Sequence, residues 1–464
     1  MKRFINRIEE LEFLQSQYND NTSSLVVVYG RRRVGKTSLI NYFVQEKKHL
    51  YFLASTESEF INMQVFKELV ASHTDNELLQ HAAIDQWDVL FKTLVAHKTD
   101  EKLVLIIDEF QYLGAGNSAF PSIFQRIWDL ILSQSNVMVI LCGSHIKMME
   151  SQTLNYNSPL YGRRTGTIRL RQVSFQYYHK FFHKLNYRDL IEHYAITGGV
   201  PKYIEAFQDD VGLFKKIKKN ILNSRSFLYD EPVFLLQNEV SEIGSYFSII
   251  RSIAFGNHKL SDICASLGVK QTSMPKYLKT LSDLDIIHRH VPVTEANPEN
   301  SKNGLYKISD NFILFWFKFI YPQKALLEMG NEQFVMDKIK SNFIDNHVAY
   351  IYEDVCHNTM WQLNNTGIFR FNKLGRWWNK KEEIDVVAID TTGNNIIFGE
   401  CKYTNKPMDA SVFYTLIEKS KLVQWNNDTR KASYVLFSIN GYTEALKDIA
   451  NMRDDLYLYH HENK

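Results

Sequence analysis

The 464-residue sequence predicts a multidomain α/β protein. Three observations carry that expectation. Residues 1–165 alternate short, uniformly apolar runs with helical patterns, as buried parallel strands and their crossover helices do. Residues 166–240 read as an all-helical lid, with Lys215, Lys216, Lys218 and Lys219 placed on a solvent face. Beyond a third helical region, 241–325, strand-like runs return within 326–464. At roughly 150 residues per domain the length alone suggests about three domains.

Composition narrows the class. Apolar residues make up 45% and charged residues 23% of the chain, which excludes disorder, collagen and a long coiled coil. Lys and Arg number 54 against 52 Asp and Glu, a net charge of +2. That excludes a polycation binding nucleic acid by bulk charge and leaves local basic patches open. None of Cys142, Cys264, Cys356 and Cys401 is spaced C-x-x-C, so neither a zinc ribbon nor a redox motif is indicated. The stretch Met1 to Glu10 lacks the apolar core of a signal peptide. Phe312 to Ile320 is interrupted by Lys318 and falls short of the roughly 20 residues that span a bilayer. A soluble cytoplasmic protein with reduced thiols and no membrane partner is expected.

The strands expected in the first region are Leu25–Tyr29, Leu50–Leu53, Leu103–Ile107 and Val137–Cys142. The first runs into Gly30-Arg31-Arg32-Arg33-Val34-Gly35-Lys36-Thr37, followed by a helical pattern from Ser38. This is G-x-x-x-x-G-K-[ST] between a strand and a helix, the context a P-loop requires. Glycines let the backbone curl so that N–H groups from Gly30 to Ser38 converge on phosphate oxygens, aided by the helix N-terminus. Lys36 then reaches the β- and γ-phosphates and the Thr37 hydroxyl ligates Mg²⁺. The strand Leu103–Ile107 ends in Asp108 and Glu109. Asp108 is the expected Mg²⁺ partner and Glu109 the group that polarises attacking water. After the strand Val137–Cys142, Ser144 either senses the γ-phosphate and orients water, or closes a plain strand-end turn. Arg163 and Arg164 either lend charge to a transition state, belong to a solvated loop, or grip DNA.

Residues 1–240 resemble the archaeal-type ATPase family of the AAA+/STAND group. The resemblance rests on Asn6-Arg7-x-x-Glu10-Leu11, the P-loop, Asp108-Glu109, Leu160-Tyr161-Gly162-Arg163-Arg164 and Thr197-Gly198-Gly199-Val200-Pro201. It implies ATP rather than GTP, in keeping with the lack of an N-K-x-D guanine signature. It also implies that Asn6 and Arg7 lie near adenine and that the segment around Pro201 packs a lid onto the nucleotide. An ATP-dependent homo-oligomer is expected where Arg163 or Arg164 acts in trans, since that needs a neighbouring subunit.

From Ile243 to Ile308 the order is helix, helix, turn, helix, then two alternating segments, the order of a winged helix-turn-helix. Gly268 is the expected stop of one helix and Ser273 the expected cap of the next, with Pro275 in its first turn. Lys270, Gln271, Lys276 and Lys279 either meet DNA phosphates and base edges or line an ordinary exposed helix in an inter-domain hinge. Phe312–Tyr321 reads as core packing.

In the last region Glu383-Ile384-Asp385 precedes Glu400-Cys401-Lys402, with Asp385 and Glu400 fifteen residues apart. Two antiparallel strands joined at Thr391–Asn395 would set the two carboxylates side by side, with Lys402 on the same face as Glu400. Such a pair binds Mg²⁺ or Mn²⁺, the lysine activates water, and Glu353 is the candidate further acidic ligand. This resembles the PD-(D/E)xK nuclease superfamily, a restriction-endonuclease-like α/β fold, and implies a metal-dependent DNA nuclease. An inactive DNA-binding fold and a plain interaction domain stay open. The basic-aromatic stretch Lys373, Arg376, Trp377, Trp378, Lys380, Lys381 is either a DNA-facing loop or a hairpin with its tryptophans in the core. Two functions are therefore expected: an ATP-hydrolysing enzyme acting on DNA, or an ATP-controlled switch whose C-terminal regions only bind DNA or protein.

Overall fold

A computed structural model describes residues 4–97 and 101–460; Met1, Lys2 and Arg3 of the N-terminal stretch lie outside them. The chain divides into two compact units: Met1–Val173 with Val200–Lys202, and Ser174–Gly199 with Tyr203–Lys464.

The first unit holds a five-stranded parallel sheet of β1 (Ser24–Tyr29), β2 (His49–Leu53), β3 (Leu103–Asp108), β4 (Val137–Gly143) and β5 (Gly166–Arg169), in the order β2-β3-β4-β1-β5. Every residue of β1, β3 and β4 is buried, because helices cover both faces of a parallel sheet. β2 departs from the uniform burial expected of it: His49 and Leu53 are exposed and Tyr51 half-buried. Its place at the sheet edge leaves one side open. β5 corrects the all-helical lid expected from residue 166. Four residues are too few for a periodic signal, but Gly166 to Arg169 pair with Val26 to Tyr29. Gly166 lies so close to the Phe13 ring that a Cβ would stand 2.1 Å from it.

In the second unit Lys216 is buried, not on a solvent face, and its ammonium donates to the Phe207 carbonyl at 2.7 Å. Helices Ile243–Ala254, Leu260–Leu267 and Met274–Asp283 are followed by an antiparallel pair, β6 (Ile287–His290) and β7 (Leu305–Ile308). Gly268 closes the second of these helices at φ +66°, a left-handed cap that glycine adopts without strain. Ser273 precedes the third helix, yet its hydroxyl donates back to the Lys270 carbonyl and caps nothing. The run from Phe312 to Ile320 is core, with the Trp316 indole donating to the Tyr229 carbonyl at 2.7 Å.

A second five-stranded sheet follows: β8 (Lys373–Trp378), β9 (Glu383–Asp390), β10 (Asn395–Lys402), β11 (Lys431–Ser438) and β12 (Leu456–His460), ordered β12-β11-β10-β9-β8. β8, β9 and β10 are antiparallel, and β10, β11 and β12 parallel. The parallel half needs crossovers, supplied by helices Ala410–Lys421 and Glu444–Asn451. Of the basic-aromatic stretch, Lys373–Trp378 is strand β8, with Arg376 and Trp377 buried and Trp378 half-buried, while Lys380 and Lys381 lie exposed beyond its end. Among the described residues no helix is long and apolar enough to cross a membrane.

Candidate nucleotide site and C-terminal acidic site

The loop after β1 is shaped by backbone that only glycine accepts easily. Gly35 has φ +98°, and a Cβ on Gly30 would lie 2.3 Å from the Leu170 carbonyl oxygen. The helix Lys36–Phe43 starts directly after Gly35. The Lys36 ammonium donates to the carbonyls of Gly30 at 2.8 Å and Arg31 at 2.9 Å, folding the loop around itself. Thr37 and Ser38 are exposed at the helix start, and Pro201 stands beside Gly35, 3.8 Å from where its Cβ would be. Asn6 and Arg7 both have positive φ. The buried Arg7 guanidinium donates to the carbonyls of Val34 and Arg171 and pairs with Glu10 at 3.2 Å. It braces the loop from behind. Arg32 donates to the Tyr112 hydroxyl at 2.9 Å.

Asp108 and Glu109 lie at the end of β3, two strands from β1. The Asp108 carboxylate accepts from the Tyr51 hydroxyl and from the Glu109 N–H. Burial, then Asp108, pushes the Tyr51 phenol well above its ordinary pKa, while a hydrogen bond to Thr37 acts the other way. Thr37 and Asp108 thus both act on the Tyr51 phenol. A hydroxyl and a carboxylate so placed are the donor set a hydrated Mg²⁺ takes at a P-loop. Glu109 itself is held at φ +53°. Its carboxylate accepts from the Ser144 hydroxyl at 2.7 and 3.0 Å, the Ser144 N–H at 3.2 Å and the Gln111 amide. Arg163 and Arg164 are engaged elsewhere. Arg163 grips Asp129 through paired bonds of 2.9 to 3.1 Å. Arg164 reaches the Thr153 and Leu154 carbonyls and lies over the Tyr161 ring.

On the second sheet Val386 faces Gly399, which sets Asp385 beside Glu400. The Asp385 carboxylate accepts from the Cys401 N–H at 2.9 Å. Burial, reinforced by Glu400, lifts its pKa to about 6. Lys402 pairs with Glu400 at 2.8 Å, and Lys419 approaches its other oxygen at 3.8 Å. Glu353, on the helix Ala349–Asn365, is the exception. Arg376 binds it at 2.8 Å and Asp354 at 2.9 Å, while burial raises Glu353 to about 7 against that cation. Among the described residues no three His, Cys, Asp or Glu side chains are grouped to hold a metal ion. The expected metal set of Glu353, Asp385 and Glu400 is therefore not assembled: the guanidinium fills the place beside Glu353.

The model of an ATPase domain found predominantly in Archaea matches residues 4–207, and that of archaeal and bacterial proteins of unknown function matches 316–413. The uncharacterized protein MJECL04 of Methanocaldococcus jannaschii is 36% identical over 424 residues, 90% of this chain and 92% of that protein. The chain belongs to this archaeal ATPase-domain family. The uncharacterized ATP-binding protein MJ0423 of the same organism is 58% identical over 45 residues, 10% of this chain and 76% of that one. The Walker-type ATPase PABY2304 of Pyrococcus abyssi shares the fold, with a TM-score of 0.50 at 19% identity over 68% of this chain and 96% of that chain.

In this archaeal ATPase-domain chain the sequence left four contributors unseen: Tyr51 and Gln111 at the first site, Lys419 and Arg376 at the second. Tyr51 and Gln111 lie inside a strand and a short helix, where polar residues carry no spacing signal. Arg376 was placed in a basic-aromatic stretch, but a strand bulge between Gly375 and Trp377 turns it inward.

Proposed function

We propose that the chain binds and hydrolyses ATP at the loop Gly30–Thr37 and couples that cycle to DNA. One observation carries the reading: Glu109 is held by Ser144 and Gln111 next to Asp108, at the strand ends beside the P-loop. The loop N–H groups cradle the phosphates and Lys36 moves from its carbonyls to the β- and γ-oxygens. Thr37 and Asp108 would hold Mg²⁺, which would offset charge on the phosphates. Glu109, acceptor-only as a carboxylate, polarises the attacking water, and Ser144 and Gln111 fix its direction. Pro201 lies against Gly35 where the resemblance sets the lid-bearing segment.

On the DNA side, helices Leu260–Leu267 and Met274–Asp283 with the β6–β7 pair follow the winged helix-turn-helix order. They expose Lys270, Gln271, Lys276 and Lys279. The Asp385, Glu400 and Lys402 cluster supports a nuclease-like second sheet, and Arg376 on Glu353 favours gripping over cutting. ATP-dependent self-association belongs to the same reading, with Arg163 and Arg164 as the cations a neighbour would receive.

The test is ATP turnover with and without duplex DNA, for the natural chain and Lys36→Ala, alongside incubation of linear and supercoiled DNA with Mg²⁺ or Mn²⁺. Turnover lost in Lys36→Ala and stimulated by DNA is expected. Slow, DNA-independent turnover with retained nucleotide would favour the ATP-controlled switch. Cleavage that disappears in Asp385→Ala would establish a cutting domain; no cleavage leaves a binding one.

A further inference from the structure

The second unit contains a cavity of about 690 Å³ that no part of the ATPase reading uses. It lies between the segment Phe175–Phe181, the N-terminal turn of helix Tyr187–Thr197, the helix Ala349–Asn365 and β12. Its size is that of a small-molecule site. Its described lining includes His179 but no Asp, Glu, Lys or Arg, so it offers no carboxylate to an ammonium group and no lysine or arginine to a phosphate. What it offers is aromatic and amide surface. The rings of Phe175 and Tyr187 meet edge to face, with centroids 5.6 Å apart, and Tyr459 adds a third ring to the wall.

The amides give the cavity a hydrogen-bonding code. Gln362 donates its Nε2 to Oε1 of Gln176 at 3.0 Å. That bond leaves the Gln176 NH₂ donor and the Gln362 side-chain carbonyl acceptor without partners among the described residues. Asn358 donates to the Asp354 carbonyl at 2.9 Å and keeps its own oxygen for the cavity. Asn186 accepts from the Asp189 N–H at 2.8 Å and keeps its NH₂. Adjacent donors and acceptors beside aromatic rings match the edge and face of a neutral planar heterocycle, as a glutamine amide matches the donor and acceptor edge of adenine.

We propose that this cavity binds a purine base, presented either by a free nucleoside or by an unstacked nucleotide of a single strand. The proposal does not depend on the P-loop. Its test is the fluorescence of 2-aminopurine, offered to the full chain as the riboside and, separately, within a single-stranded oligonucleotide. Both are measured on the natural chain, Gln362→Leu, Gln176→Leu and, to exclude the ATP site, Lys36→Ala. Saturable binding is expected to survive Lys36→Ala and to weaken about tenfold or more in either leucine variant, with ATP turnover unchanged in both. Binding of the riboside points to a free ligand, and binding of the oligonucleotide alone points to a strand; either supports the site. No saturable binding of either probe, binding lost only in Lys36→Ala, or binding undiminished in both leucine variants overturns it.

Discussion

Glu109 is the residue on which the first site turns. Its left-handed backbone is uncommon for a side chain with a Cβ, and such strain is retained where the surroundings over-determine it. Here Ser144, Gln111 and the neighbouring Asp108 do so. Glu109→Gln removes the acceptor-only carboxylate and leaves the loop untouched. ATP turnover should fall by about 10²–10⁴ while nucleotide affinity, measured by equilibrium dialysis, holds. A proportionate loss of affinity would show that Glu109 acts in binding instead. At the second site Asp385 is a buried carboxylate beside another. Its pKa, raised to about 6, means that folding is opposed once the group ionises. Asp385→Asn keeps an oxygen for the Cys401 N–H and removes the charge. The variant should be more stable than the natural chain by about 1–3 kcal/mol at pH 8, by roughly half that at pH 5, and little changed below about pH 4, read from denaturant midpoints. No gain at pH 8 would mean that Lys402 already neutralises the pair.

At the scale of elements, how much was legible follows from how local each cause is. β1, β3 and β4 showed in the sequence because burial on both faces writes a continuous apolar run. The P-loop showed because glycine geometry and Lys-Thr spacing are local necessities. β9 and β10 showed because a two-strand turn needs few residues, and their register then set Asp385 beside Glu400. β5 did not show, since its identity rests on pairing with β1 across more than a hundred residues. Lys216 and Arg376 did not show either: a long side chain looks solvent-exposed until tertiary packing buries it. The loop after β1 yields a prediction at this scale. Gly30→Ala would force a Cβ against the Leu170 carbonyl. It should lower the stability of the first unit by on the order of 2 kcal/mol, measured by calorimetry, and weaken ATP binding with it. An unshifted melting temperature would mean that the segment after β5 can retreat.

For the whole molecule, proton linkage falls unevenly. Burial drives His193, His290 and His357 down to about 4, and His347 to about 3. In the unfolded chain these return toward about 6.5, so the unfolded state binds more protons between those values. Stability therefore rises with pH from about 4 to 6.5 and is flat above. Asp385 and Glu353, raised to about 6 and about 7, act in the opposite sense: the folded state keeps their protons longer, and stability falls as pH climbs from about 4 to those values. Four histidines against two carboxylates leave a net loss in acid, and all six belong to the second unit. In calorimetry at pH 5 the second unit's transition should move down relative to pH 7.5, while ATP raises only the other. Burial also lowers His73 in the first unit, so that transition moves down less, and an equal acid shift of both would refute this assignment.

The short return of Val200–Lys202 to the first unit makes the polypeptide cross between the units three times. The nucleotide loop's proline neighbour thus arrives on a tether whose two ends are both anchored outside that unit. A single proteolytic cut after Lys202 leaves Pro201 joined to the ATPase sheet only through Ser174–Gly199 of the second unit. Only Gly198, Gly199 and Val200 separate the end of the helix Tyr187–Thr197 in one unit from the proline beside Gly35 in the other.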